Sequence, residues 1–255
     1  MGSRAGWLCA AVLAATMFVG GCGWLSTEYK LHRVGAQPAY SDIWSAEPGV
    51  DLFSRSAELV RAVVEAGRYT AFAGFGPTFP GYRKAIGNGP EDYAAVDVDY
   101  VFRHGPGTLT YPKTKFNRIT GLSESETEIS AVVCTFDMYE DPTRAIGLDP
   151  TLGALDVRLT NPSGDPGLPG SPDLHPESED ARGRYVPDWN VFGSWRIVAL
   201  EFVRSEVPTA CKEWFQPLFP SFRTDIFIMR APPGFVAPAM PVGIRYPEWI
   251  GPSDD

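Results

Sequence analysis

Histidine is scarce in this 255-residue chain, with His32, His104 and His175 the only three. None has a second histidine or a cysteine at ligand spacing, so no zinc site is indicated, and no cofactor is expected. Cysteines number four, and no Cys-x-x-Cys pair occurs among them. Basic residues are in deficit, with 22 lysines and arginines against 31 aspartates and glutamates and a formal charge of −9. A surface this acidic repels phosphate backbones, which argues against a nucleic-acid partner. Gly-x-Ser-x-Gly, P-loop and dinucleotide glycine motifs are missing, which removes the commonest signatures of serine hydrolases, NTPases and nicotinamide enzymes. What is plentiful is apolar and aromatic residues, at 44% and 13%, enough for a packed core and against global disorder.

The chain opens Met-Gly-Ser-Arg and continues with an uncharged run of 13 residues, Trp7 to Val19. A hydrocarbon core needs about 20 residues, so this run is too short to span it. A short apolar run behind a positive residue and ahead of small ones is the layout of a secretory signal. The small residues are Gly20 and Gly21, and Cys22 follows.

Val19-Gly20-Gly21-Cys22 resembles the lipobox of bacterial lipoprotein precursors, an aliphatic residue and two small residues before cysteine. That resemblance covers residues 1–22 only. It implies cleavage between Gly21 and Cys22 and a diacylglyceryl thioether, with further acylation such as palmitate, on Cys22. Two or more acyl chains give stable membrane attachment where one does not. The expected location is therefore the extracytoplasmic face of a cell membrane, held there by lipid. The Lys-poor, Ala/Gly/Pro/Arg/Asp/Val-rich composition resembles exported lipoproteins of actinobacterial type.

Loss of Cys9 with the signal and lipidation of Cys22 leave Cys134 and Cys211. In an exported protein two remaining cysteines read as one disulfide. Closing that 77-residue separation would stabilise the fold by roughly 4 kcal/mol in the chain-entropy model. The competing reading is a reactive or metal-binding thiol pair.

Beyond the signal at 1–21, residues 22–50 hold scattered Gly and Pro and read as a tether, with Tyr40 and Trp44 suggesting that part of it packs. A single domain is expected over 51–230. Its clearest element is a helix over 51–66, capped by Asp51 or Ser54 and stopped at Gly67, with Leu52, Leu59, Val60, Val63 and Val64 on one side. Period-two patterns predict strands at 94–103, near 109–111, at 127–138, 154–159 and 191–203, with one helical turn at 142–147. Residues 161–189, with six prolines, four glycines and the acids Glu177, Glu179 and Asp180, read as a long solvated, mobile loop. A Pro-rich arm at 231–255 carries Phe235, Tyr246 and Trp249 and is expected to wrap the domain. Helix first and strands after predict an α+β fold with an N-terminal helix on a curved antiparallel sheet. That order resembles the NTF2-like and cystatin-like arrangements.

Two residue sets bear on chemistry. Asp97 and Asp99 share one strand face about 6.5–7 Å apart, a spacing that carboxylate pairs of glycosidases also use. An ordinary polar strand face gives the same spacing. Lys113, Lys115 and Arg118 form a basic group in an acidic chain, suited either to an anionic ligand or partner or to a charged sheet edge that resists aggregation. The expected function is a non-enzymatic envelope lipoprotein that binds a partner protein or an apolar ligand in the sheet concavity, a class that includes phage-encoded proteins of superinfection exclusion. The alternative is an envelope hydrolase using Asp97 and Asp99 with His104.

Overall fold

In a computed structural model, the described residues are 40–87, 113–139, 148–175, 178, 180–203, 206–224, 229–230, 232–235 and 245–252. The signal and lipobox, His32, Asp97, Asp99, His104, the strands expected at 94–103 and 109–111 and the turn at 142–147 lie outside them. The fold is α+β. Its elements in order are β1 (Tyr40–Ala46), α1 (Arg55–Ala73), α2 (Tyr82–Ala85), β2 (Lys113–Glu124), β3 (Glu128–Tyr139), β4 (Leu148–Thr160), β5 (Arg196–Phe202), α3 (Thr209–Phe215), β6 (Arg223–Thr224) and β7 (Met229–Arg230).

Strands β1 to β5 form one sheet in sequence order, while β6 and β7 pair separately. The pairs β2–β3, β3–β4 and β4–β5 are antiparallel. The pair β1–β2 is parallel, so the sheet is mixed rather than antiparallel. The difference arises because β1 comes from the segment read as a tether, ahead of the helix. A strand before a helix and one after it meet in parallel when the helix crosses over between them.

Helix α1 begins where a cap is available, with the Ser54 hydroxyl accepting from the Ala57 N–H. It passes through Gly67 and ends at Gly74, whose φ of 85° suits glycine. The expected stop at Gly67 is overridden because Arg68, Tyr69 and Thr70 are all buried beyond it. One interior glycine costs about 1 kcal/mol of helix propensity, less than burying the Tyr69 ring returns, while Arg68 and Thr70 find hydrogen-bond partners. On its sheet side, Leu59, Val60, Val63 and Val64 are fully buried with Ile119, Val133, Leu155, Val157 and Leu159.

The other sheet face has its own core. Cys134, Phe136, Met138 and Ala154 pack there with Cys211, Phe215 and Phe222. Phe116 and Phe136 lie opposite each other in the β2–β3 register and stack at 4.9 Å. The Cys134–Cys211 disulfide ties β3 to α3.

The segment 161–195 differs from the solvated loop expected. It contains no long regular element, yet Asp173, Tyr185, Val186, Trp189, Val191 and Phe192 are buried. Gly167 and Gly193 cross back to back at positive φ, and a Cβ on Gly193 would sit 2.2 Å from the Gly167 nitrogen. Glycine is required at such an approach. The strand expected from Val191 accordingly starts only at Arg196.

Replacing Cys134 or Cys211 by alanine is expected to lower unfolding free energy by about 2–5 kcal/mol in denaturant titration. Non-reduced peptide mapping should recover the two cysteines joined, and two free thiols in the exported protein would contradict the pairing.

Candidate functional site

Five charged residues of α1, Arg55, Glu58, Arg61, Glu65 and Arg68, recur every three or four positions and form one stripe. An amphipathic reading puts such a stripe in water. Here it is covered by β1, by segment 161–195 and by residues 245–252, and Glu58, Arg61, Glu65 and Arg68 are buried.

Each charge has partners. Arg68 pairs with Asp42 of β1 and donates to Asn117 Oδ1 at 2.9 Å. Asn117 in turn donates to Asp42 Oδ1 at 3.0 Å. Glu65 Oε2 accepts from Arg245 at 3.0 Å and from the Trp249 indole at 2.8 Å. Arg61 lies over the Trp249 ring, 4.8 Å from its centroid. Arg55 pairs with Glu58, and Glu58 Oε1 accepts the Gly170 N–H at 2.6 Å.

Burial shifts these groups. It pushes the Glu65 carboxyl up from the usual range, against Arg245, Arg61 and the Trp249 N–H, which pull it down. Burial also lowers Arg61. At Arg245 burial again opposes the charge, but Glu65 and Asp42 outweigh it and hold the guanidinium charged. The Tyr40 phenol is raised far above its ordinary value by burial and by Asp42. Perturbed ionisation marks candidate sites, yet structural ion networks produce it equally. With side-chain exposures of 2% and 3% for Glu65 and Arg245, nothing in solution can reach the pair. Among the described residues no histidine or cysteine joins it. The arrangement holds elements together and has no route to a substrate.

Among the described residues, an accessible feature lies on the opposite sheet face. A cleft of about 350 Å³ opens where the β2–β3 hairpin meets β4 and β5, lined by Ser123, Glu128, Ser130, Arg158 and Val198 among others. The hairpin is fixed by Ser125, whose hydroxyl accepts the Glu128 N–H at 3.0 Å. Arg158 is braced by Asp156 at 3.2 Å and Glu201 at 3.6 Å. Val198 stands out at the register shift between Ile197 and Ala199 and is 43% exposed. Hydroxyls, charges of both signs and an apolar side chain make a hydrogen-bonding surface. Among the described residues no group of three His, Cys, Asp or Glu could hold a metal.

The basic group read from the sequence is not one patch. Lys113 opens β2. Lys115 bonds Asp137 across the β2–β3 ladder at 2.7 Å. Arg118, three residues on, projects from the other face because strand side chains alternate. Nor is β2 an edge, since β1 and β3 flank it, so the anti-aggregation role does not apply. The buried stripe is legible in the sequence only as five charges at helical spacing, because the residues that enclose it, Asp42, Gly170, Arg245 and Trp249, are remote in the chain. No protein-family model, curated protein or solved structure matches the chain.

Arg245→Met should cost about 3–5 kcal/mol in urea unfolding, because Glu65 stays buried and unpaired. The double change Glu65→Leu/Arg245→Met should cost less than the sum of the single changes by more than about 1 kcal/mol. Additive losses would show that the two side chains are not coupled.

Proposed function

We propose that this protein is an exported cell-envelope lipoprotein, anchored by lipid on Cys22, whose domain binds a ligand or partner without catalysing a reaction. The observation that carries the reading is the Cys134–Cys211 disulfide at the centre of a buried cluster. Such bridges form and persist in oxidising compartments outside the cytosol. It agrees with the Val19-Gly20-Gly21-Cys22 motif at the start of the chain. Among the described residues no helix is long and apolar enough to cross a membrane. In this reading the acyl chains supply the attachment.

The binding surface is assigned to the outer-face cleft. Helix α1 fills the inner face, where an apolar ligand was expected, and the ionised groups there are sealed. A long helix lying on a sheet supports an NTF2-like or cystatin-like likeness, while the parallel β1–β2 pair departs from a purely antiparallel version.

Mass spectrometry of the mature N-terminus should find a diacylated Cys22. Cys22→Ala should shift the protein to the soluble fraction or leave it as unprocessed precursor. Processed, membrane-bound Cys22→Ala protein would refute the anchor. A photo-cross-linker at Val198 should give a discrete adduct in native membranes that Arg158→Glu removes. Catalytic turnover of an envelope substrate with no adduct would refute the binding role.

A further inference from the structure

We propose that residues 245–252 form a detachable strap, which lifts from α1 in a step separate from global unfolding and uncovers Arg61 and Glu65 of the helix stripe. The strap is held differently from the rest of the fold. No ladder of strand length fixes it among the described residues. Its backbone meets the body at three isolated bridges, Ile43 with Tyr246, Ser171 with Ile250 and Arg184 with Trp249. The disulfide lies elsewhere, between β3 and α3.

The side-chain contacts are mixed, polar around Glu65 and Asp173 and aromatic where Trp249 meets Phe79 and Trp189 and Tyr246 meets Phe53. Arg245 and Trp249 converge on Glu65, Arg61 donates to the Pro247 carbonyl at 3.4 Å, and Asp173 accepts the Glu248 N–H at 2.8 Å. Asp180 donates its N–H to Glu248 Oε2 at 2.7 Å. Trp249 and Ile250 are the apolar part, with Phe79 edge-on to Trp249 at 5.2 Å.

Two consequences follow for opening. Charges exposed by lifting the strap regain hydration, which offsets the lost ion pairs in a way that lifting an apolar arm would not allow. In the closed state Glu65 Oε1, Arg61 Nε and Arg245 Nε are buried without hydrogen-bond partners. Opening relieves that desolvation, since a buried polar atom without a partner is costly. The core survives opening because α1 grips the sheet through Leu59, Val60, Val63 and Val64 on its other side. What is uncovered is the Arg61 and Glu65 part of the stripe, while Arg55 and Glu58 stay held by segment 161–195 and Arg68 by Asp42 and Asn117. The geometry therefore gives the domain one permanent surface, the outer cleft, and one gated surface on the helix.

Native-state hydrogen exchange on the full, oxidised protein tests this. The probes are the N–H groups of Trp44, Tyr246, Ser171, Arg184 and Glu248, which bond across the strap boundary. They should exchange together, at least about tenfold faster than the Val133 amide inside β3. Glu65→Gln should speed the strap group further and leave Val133 unchanged. A cross-link between Ser171→Cys and Ile250→Cys should slow the strap group to the β3 rate. Exchange of all these amides at one common rate in the wild-type protein would overturn the proposal. So would fast strap exchange that persists in the cross-linked protein.

Discussion

Helix α1 carries a stripe of charges beside its apolar face, and everything around it is arranged so that those charges are not left alone. A helix of this composition is stable either half in water or fully enclosed with partners. Enclosure is the harder choice, because each buried ion loses several kcal/mol of hydration before any pairing is counted. Here enclosure sets where three distant parts of the chain must lie. β1 supplies Asp42 to Arg68, segment 161–195 supplies the Gly170 N–H to Glu58, and residues 245–252 supply Arg245 and Trp249 to Glu65. The parallel placement of β1 beside β2 follows from the same requirement. Asp42 and Asn117 must reach Arg68 together, and Asn117 lies on β2.

The sheet is loaded on both faces, but by different means. The inner face is aliphatic and meets a helix. The outer face, at the Cys134 end, is aromatic, with Phe136 in contact with Phe116, Trp214, Phe215 and Phe219. A short helix of seven residues adds little burial by itself, and the disulfide fixes α3 against β3 where packing alone would be thin. The cleft opens at the far end of the outer face, which no described helix covers.

Local pattern carried some of this and missed the rest for definable reasons. Strand β3 was readable because Thr127–Met138 is rich in β-branched and aromatic residues, and the α+β class followed from element order. The Cys134–Cys211 pair emerged from counting cysteines. Strand β2 was not readable, because Lys-Thr-Lys-Phe-Asn-Arg has the polarity of a surface turn. Its Asn117 and Lys115 side chains pair with Asp42, Arg68 and Asp137, which are remote in sequence. Segment 161–195 failed in the same way. Its prolines and glycines signal irregular backbone correctly, but irregular was equated with solvated. Tyr185, Val186 and Trp189 of the loop expected at 161–189 are buried.

These misses share one cause, which bears on function. Periodicity assumes that polar residues face water, and this fold departs from that rule along one continuous seam. Departures from local rules are where a specialised role or a specificity device is expected. The seam is inaccessible when closed, so a catalytic role for it would need chemistry without substrate contact. A role in holding a particular arrangement of strap, loop and helix needs only what is present. Ionic seams favour one register over others, whereas an aliphatic arm could slide. That distinction separates the two surfaces of the domain. The outer cleft is built on the paired strands β2 to β5, with Arg158 braced by Asp156 and Glu201, so its floor is held by the sheet ladder. The helix stripe is defined by contacts that water can replace. A domain held near a membrane by lipid would thus carry one surface available at all times and another whose exposure is set by how firmly Glu65 keeps Arg245 and Trp249.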